Sequence, residues 1–146
     1  MIRIHNSLTQ GKSELQTLTP GRIGMYVCGM TVYDYCHLGH ARVLIAFDVI
    51  TRYLRQRGYE VTYVRNITDV DDKIIQRARS NGEDVDALTE RFIRAMHEDE
   101  KVLGVRRPDR EPRATHHIGP IIEMIETLIV KGFAYQGEDG DVFFAI

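Results

Sequence analysis

The sequence predicts an α/β fold built on a parallel sheet, and three successive segments carry that prediction. The apolar run RIGMYVCG at 22–29 ends in a glycine and predicts a short buried strand. A helical pattern follows at 39–57, and the β-branched and aromatic run YEVTYVRNIT at 59–68 predicts a second strand. A strand, a helix and a strand in this order form a βαβ unit, with parallel strands and a right-handed crossover.

The remaining elements follow from periodicity and from turn residues. Residues 1–21 are polar and predict an N-terminal arm that ends in a turn at Pro20-Gly21. In the first helix, the spacing predicts one apolar face, and Gly58 supplies the stop. The residues expected on that face are Val43, Phe47, Ile50 and Leu54.

Downstream, the pattern predicts helices and then a hairpin. DDKIIQRARSNG at 71–82 and DVDALTERFIRAMHEDEKVLG at 84–104 are both helical, the second with Val85, Leu88, Phe92 and Met96 on one face. The proline-containing connection VRRPDREPRAT at 105–115 is a candidate boundary, and its Thr115 is a candidate cap for a further apolar helix that ends before Gly132. FAYQGEDGDVFFAI at 133–146 predicts a hairpin around Gly-Glu-Asp-Gly.

Composition limits the class of protein. A chain of 146 residues with a net charge of −2 fits one domain, or one domain and part of another, without a bulk basic signal for nucleic acid. Two cysteines make no disulfide scaffold, and there is neither a bilayer-length apolar run nor a signal peptide. We therefore expect a cytoplasmic protein with no membrane partner. Because the last strand ends at Ile146 with an unpaired edge, we also expect this chain to be a fragment of a larger protein.

The loops after the two strands are the predicted functional edge. Ligands of open parallel sheets bind beyond the carboxyl ends of the strands. Residues 29–38 and 66–73 both lie there, so their placement predicts a site before any motif is considered.

The stretch YVCGMTVYDYCHLGHAR at 26–42 offers two kinds of chemistry. Cys28, Cys36, His37 and His40 are zinc-ligand types, but seven residues separate the cysteines, which is poor spacing for a self-contained tetrahedral site. Alternatively, a glycine-containing turn that opens a helix can bind phosphate through backbone N–H groups, and two imidazoles three residues apart can donate further hydrogen bonds. A third possibility is that both histidines are ordinary helix-start residues.

These residues resemble a known family. HLGH at His37–His40 resembles the HIGH signature of class I aminoacyl-tRNA synthetases, with Leu38 as a volume-conserving departure. The wider run MYVCGMTVYDYCHLGHAR, together with YVRNITDVDDKII and PRATHHI, closely resembles the cysteinyl-tRNA synthetase family over essentially the whole chain. The resemblance implies the first half of a Rossmann-like nucleotide-binding fold at 1–112, followed by the start of a connecting insertion at 113–146.

The resemblance also implies site residues. Cys28 corresponds to a zinc ligand that contacts the substrate thiolate, which would reject serine because a hydroxyl is a poorer zinc ligand. His37, Gly39 and His40 correspond to the ATP-binding signature, with both histidines on phosphate oxygens as the catalytic pair. Thr31 and Gly29 are expected contacts for ATP and for substrate cysteine.

Several residues keep two interpretations. Thr68 is either a substrate contact or an ordinary strand-end residue, and Cys28 could be a small buried hydrophobe. Asp71 and Asp72 favour a solvated helix start over a magnesium cluster. His116 and His117, in the misleading string HHIGP, favour a structural role.

The implied activity is that of a cysteine–tRNA ligase. Its substrates and partners would be L-cysteine, ATP with Mg²⁺, and tRNA(Cys), with Zn²⁺ as cofactor. A lysine-rich KMSKS loop and the remaining zinc ligands of the family do not occur in these 146 residues. We therefore expect this chain alone to be inactive, and to self-associate through its strand edge although the full enzyme would be a monomer. The alternatives are a cysteine-activating ligase of the mycothiol pathway and a nucleotide-binding module without activity.

Overall fold

The computed structural model describes residues 2–146. The strands are β1 (Arg3–Asn6), β2 (Gly11–Glu14), β3 (Arg22–Val27), β4 (Glu60–Arg65), β5 (Ala134–Gln136) and β6 (Val142–Phe144). The helices are α1 (Leu38–Gln56), α2 (Asp72–Asn81), α3 (Val85–Leu103) and α4 (Ile118–Val130), with a 3-10 turn at Thr115–His117. No helix within the described residues is long and apolar enough to cross a membrane.

The predicted βαβ unit is confirmed. β3 pairs with β4 in parallel, with Arg22 opposite Glu60 and Val27 opposite Arg65, and α1 connects them. In the described part of the chain β3 is not the buried strand that its apolar residues predicted, because Val27 is its one buried residue. The fold class is therefore α/β with a parallel strand pair, as the sequence indicated.

A third extended segment pairs with β4 where the sequence predicted a connection. The backbone N–H of Arg65 donates to the carbonyl of Arg110 (3.1 Å), and that of Ile67 donates to Pro112 (2.9 Å). The bridges are parallel and reach Arg113. The two prolines are compatible with this pairing because proline lacks only the N–H donor. The division of the chain at 112/113 into a sheet part and an insertion stays a prediction.

The turn expected at Pro20-Gly21 is present, but the structure adds a hairpin that the polar sequence did not predict, and the expected apolar face of α1 was wrong. The predicted N-terminal arm contains an antiparallel hairpin in which β1 pairs with β2, and its turn is stabilised by a hydrogen bond from Leu8 N to Asn6 Oδ1 (2.9 Å). In α1, Val43 and Ile50 are exposed. Because α1 carries apolar residues on more than one face, periodicity alone could not identify the packed one. The buried residues of α1, which packs against β4 and α3, are Leu44, Asp48, Thr51 and Leu54.

The main core lies between α2, α3 and the loops that follow β3 and β4. Its buried members are Val32, Ile67, Ile74, Ala78, Leu88, Phe92, Ile93 and Met96. Both helices begin at an aspartate cap and end at a glycine in the left-handed conformation, Gly82 and Gly104. The helices at 71–82 and 84–104 and the apolar face of the second are thus confirmed.

A buried ionic cluster joins β4 to the elements on either side. Arg65 and Glu100 are 4% and 1% exposed, and the Arg65 guanidinium donates to Glu100 Oε1 at 2.5 Å and to Glu111 Oε1 at 2.6 Å. Glu111 also contacts Arg107 and His97. Burial opposes ionisation of Glu111, but hydrogen bonds from Arg107 and Arg65 outweigh it and keep its pKa below the usual value. One strand, one helix and the 109–114 segment are thereby tied together.

The C-terminal part contains α4 and the β5–β6 hairpin, which pairs Ala134 with Phe144 as predicted for this segment. Thr115 does not cap α4. Its hydroxyl donates to Asp69 Oδ2 (2.6 Å) and its backbone N–H donates to Asp69 Oδ1 (3.0 Å), because the loop after β4 places that buried carboxylate within reach.

Gly29, just beyond β3, lies against the loop after β4. A Cβ at this position would lie 1.6 Å from the carbonyl oxygen of Asn66. The Gly29 N–H also donates to Asn66 Oδ1 at 2.7 Å. Only a residue without a side chain permits this approach.

We predict that Gly29→Ala lowers the free energy of unfolding by about 3 kcal/mol or more, because the new methyl group meets backbone rather than a mobile side chain. Gly24→Ala, within β3 itself, is the matched control, since its Cβ would meet nothing within 4 Å. Urea denaturation measures both variants. Equal losses for the two would show that the close contact at Asn66 is unimportant.

Arg65→Met should destabilise the chain by about 3–5 kcal/mol, because it leaves the buried Glu100 carboxylate without its partner. Arg107→Met is the control: its side chain is 59% exposed although it contacts the same Glu111. Its loss should stay below about 1 kcal/mol. Thermal unfolding followed by circular dichroism gives the comparison, and a larger loss for Arg107→Met would contradict the assignment.

Candidate functional site

A cleft of about 320 Å³ opens at the carboxyl ends of β3 and β4. Its walls come from the loop after β3, the beginning of α1 and the beginning of α2. The lining residues are Cys28, Gly29, Met30, Thr31, Tyr33, His40, Val43, Leu44, Arg65 and Lys73. This is the edge at which the strand order predicted a ligand.

The loops after β3 and β4 continue the sheet beyond the strands themselves. Val32 N donates to the Thr68 carbonyl (3.1 Å), and Thr68 N donates to the Met30 carbonyl (3.3 Å). Asn66 Nδ2 donates to the Thr68 hydroxyl at 3.2 Å. Thr68 is therefore engaged in joining the two loops and lies outside the cleft lining, which favours its strand-end interpretation.

His37 and His40 open α1 together. His37 is the N-cap residue, and the two rings stack with centroids 3.9 Å apart and an interplanar angle of 23°. His37 Nδ1 accepts from Gly39 N (3.0 Å), and His40 Nδ1 accepts from His37 N (3.2 Å). The pair forms a capping box made of imidazoles.

This arrangement determines where the ring protons lie. A neutral imidazole whose Nδ1 accepts a hydrogen bond carries its proton on Nε2. Burial, and then the proximity of His37, lower the pKa of His40, which favours the neutral ring. Each histidine thus keeps one Nε2–H donor for a ligand. An anion at this helix start would also meet the positive end of the α1 dipole.

Gly39 has a steric role in this turn. A Cβ there would lie 2.7 Å from Cε1 and 3.0 Å from Nδ1 of His37. The glycine lets the His37 ring fold back over its own helix. Its predicted contact with ATP stays a prediction.

Some of the predicted site residues line the cleft and others do not. Among its lining residues are the predicted Cys28, Gly29, Thr31 and His40. His37, Gly39 and Thr68 lie outside that lining. His37 instead borders a neighbouring apolar groove with Cys36, Leu38 and Asp99.

Cys28 is an exposed thiol at the end of β3, so it is not the buried hydrophobe of the alternative interpretation. Its Sγ contacts the carbonyl of Gly29 at 3.6 Å. In residues 2–146, the only grouping of three or more potential ligands that lie within reach of one another is His97, Glu100 and Glu111, which does not include Cys28. These residues alone therefore do not fit a tetrahedral zinc site at Cys28.

Cys36 packs, as predicted. It is half-buried against the core, and its Sγ lies 3.6 Å from Met30 Sδ. Burial, followed by the nearby Asp99, raises the pKa of its thiol to about 11. This thiol is protonated at neutral pH and does not suit metal binding.

The carboxylates after β4 serve the local structure. Asp71 caps α2 by accepting from Lys73 N at 2.8 Å, as its helix-start interpretation predicted. Asp69 is buried and bound to Thr115. Neither belongs to a cluster of potential metal ligands within the described residues.

The histidines of HHIGP lie away from the cleft. Both are in the 3-10 turn, and His117 Nδ1 is 2.7 Å from the Arg113 carbonyl. This contact supports the structural role expected for His117. His116 borders a separate depression with Asp69 and Arg113.

Three polar residues of the cleft lining were not predicted as site residues from the sequence: Tyr33, Arg65 and Lys73. Lys73 was available as a signal, because it follows the aspartate cap of a helix that begins at the functional edge. Nothing in the local sequence indicated Arg65, because its role depends on Glu100 and Glu111, which are distant in the sequence.

Comparison with known proteins places this geometry in a family. Residues 14–146 match the family described as tRNA synthetases class I (C) catalytic domain. Over 100% of this chain, a cysteine–tRNA ligase of Hahella chejuensis is 64% identical, and one of Thioalkalivibrio sulfidiphilus is 62% identical. The chain spans 31% and 32% of the lengths of these two relatives.

A solved structure supports the fold independently. A Mycobacterium tuberculosis methionyl-tRNA synthetase in complex with methionyl-adenylate superposes with a TM-score of 0.67 and 27% identity. The superposition covers 77% of this chain and 23% of that protein. The Rossmann-like, class I nucleotide-binding fold expected from the HLGH motif is thus confirmed. This chain belongs to the cysteine-type class I tRNA synthetase catalytic-domain family.

Proposed function

We propose that this chain supplies the nucleotide- and amino-acid-binding half of a cysteine–tRNA ligase. The observation that carries the proposal is the cleft at the ends of β3 and β4, where Cys28, Thr31 and His40 meet. The names of the relatives, which are cysteine–tRNA ligases, support the same activity. The substrates would be L-cysteine, ATP as its magnesium complex, and tRNA(Cys), in the cytoplasm, with a monomeric full enzyme.

The proposed reaction begins with adenylate formation. A carboxylate oxygen of cysteine attacks the α-phosphorus of ATP, the bond to the β-phosphate oxygen breaks, and pyrophosphate leaves. Negative charge builds up on the phosphate oxygens in the transition state. His37 and His40 each hold an Nε2–H donor at the start of α1, and hydrogen bonds that strengthen as this charge develops lower the barrier. A hydroxyl of the 3′-terminal ribose of the tRNA then attacks the carbonyl carbon of the adenylate, the bond from that carbon to the phosphate oxygen breaks, and AMP leaves.

The predicted contact residues have separate tasks in this proposal. Thr31 in the cleft lining and Gly39 in the first turn of α1 contact ATP, while Gly29 and Thr68 position the amino acid from the joined loops. Thr68 would do so indirectly, since its hydroxyl binds Asn66. Cys28 is exposed at the end of β3, where it can meet the substrate side chain.

We also propose that Cys28 is one ligand of a zinc ion whose other ligands lie outside these 146 residues. Its exposure and its position at the cleft support this role. A zinc ion would distinguish a thiol from a hydroxyl substrate.

Two alternatives make different predictions. A cysteine-activating ligase of the mycothiol pathway would form the adenylate but would not charge tRNA(Cys). A nucleotide-binding module would bind ATP without cysteine-dependent exchange of pyrophosphate. Aminoacylation of tRNA(Cys) by the complete polypeptide that contains these residues separates the three functions.

His40→Asn should lower the rate of cysteine-dependent ATP–pyrophosphate exchange by about 100- to 1,000-fold, the loss expected for one transition-state donor. The asparagine Oδ1 can still accept from His37 N, so the variant retains the cap but loses the Nε2–H and the ring that stacks on His37. His116→Asn, in the similar string HHIGP, is the control and should leave the rate unchanged. The measurement uses the complete polypeptide. Equal rates for wild type and His40→Asn would argue against the phosphate role.

Cys28→Ser should remove one equivalent of zinc from the complete polypeptide, measured by atomic absorption after dialysis. Cys36→Ala is the matched control and should keep its zinc, because Cys36 packs against Met30. Retention of zinc by Cys28→Ser would refute the ligand assignment without affecting the adenylate proposal.

A further inference from the structure

The cleft is lined by three basic side chains, and their charges are not equivalent. Arg65, at the end of β4, is 4% exposed and donates to Glu100 and Glu111. One guanidinium bound to two carboxylates offers no free positive charge to a ligand. Arg65 therefore shapes the cleft without attracting an anion into it.

His40 is the second basic group, and the capping geometry favours its neutral form. Its Nδ1 accepts a backbone hydrogen bond from His37. Because protonation would replace that acceptor with a donor, the ring contributes a hydrogen-bond donor to the cleft rather than a charge.

Lys73 is different. It stands in the first turn of α2, next to Asp71, whose carboxylate caps the helix through the Lys73 backbone N–H rather than through its ammonium. Among the described residues, the Lys73 ammonium forms none of the salt bridges. It lies 5.7 Å from the centre of the Tyr33 ring, which also lines the cleft.

A ring face at this distance attracts an ammonium without neutralising its charge. Tyr33 belongs to the loop after β3, and Lys73 to the helix after β4. The contact therefore holds the Lys73 ammonium, the one cation of the cleft lining without a carboxylate partner, between the two loops. His40 lies on the α1 side of the same cleft.

We infer that Lys73 is a binding residue for an anionic oxygen of the substrates at the reacting centre. This inference rests on the proposed function, in which a carboxylate and a triphosphate must approach each other in one cleft. Two like charges brought together repel, and a fixed cation between them reduces that cost. The oxygen can come from either source, the nucleotide phosphate or the amino-acid carboxylate, and the experiment distinguishes them.

The test compares Lys73→Gln with wild type in separate titrations of ATP and of L-cysteine into the complete polypeptide. Lys73→Gln should weaken one ligand by about tenfold, the effect of losing one charged hydrogen bond. Lys73→Arg should restore most of the affinity because it restores the charge. Lys101→Gln is the control, since that lysine lies in the last turn of α3 and does not line the cleft.

The outcomes separate the inference from the function on which it rests. Weaker ATP binding alone identifies a phosphate contact, and weaker cysteine binding alone identifies a carboxylate contact. Unchanged binding of both ligands by Lys73→Gln overturns the inference and leaves the proposed function intact. If wild type binds neither ligand, the proposed function fails as well. Because the Lys73 side chain is exposed, Lys73→Gln should fold normally, and its thermal unfolding curve verifies this.

Discussion

The contact of Arg65 with two carboxylates is the interaction on which the site depends. Arg65 ends β4, Glu100 lies near the end of α3, and Glu111 belongs to the segment that pairs with β4. The guanidinium therefore fixes three elements relative to one another directly beside the cleft. A buried charge is tolerated only when it is paired, so this position accepts few substitutions. The positions of α3 and of the paired segment relative to β4 therefore depend on this one residue.

Above that anchor, two helices begin on opposite sides of one gap. α1 starts after β3, and α2 starts after β4, and the bonds between Met30, Val32 and Thr68 hold their connecting loops together. Gly29 permits the loops to touch, because any side chain there would collide with Asn66. The site is thus a junction of two strand ends. His40 lines the cleft from one helix start and Lys73 lines it from the other.

Local patterns in the sequence predicted the βαβ unit, α2, α3 and the β5–β6 hairpin, because strand alternation, helix caps and turn glycines act over a few residues. They did not predict the pairing of Arg110 with β4 or the partners of Arg65, because those contacts join residues far apart in the chain. The prediction of the packed face of α1 was wrong for another reason: the helix carries apolar residues on more than one of its faces. At the site, the residues of the HLGH motif were predicted from the sequence, whereas the position of Lys73 in the same cleft as His40 depends on how the loops after β3 and β4 pair.

The imidazole cap of α1 couples ring chemistry to helix order. In many enzymes a carboxylate orients a histidine, but here the backbone N–H groups of the first turn do so by occupying both Nδ1 atoms. A proton added to His40 Nδ1 would cancel its hydrogen bond and leave the backbone N–H of His37 without a partner. The bond that orients the His40 ring therefore also ties the order of the first turn of α1 to the neutral form of that ring.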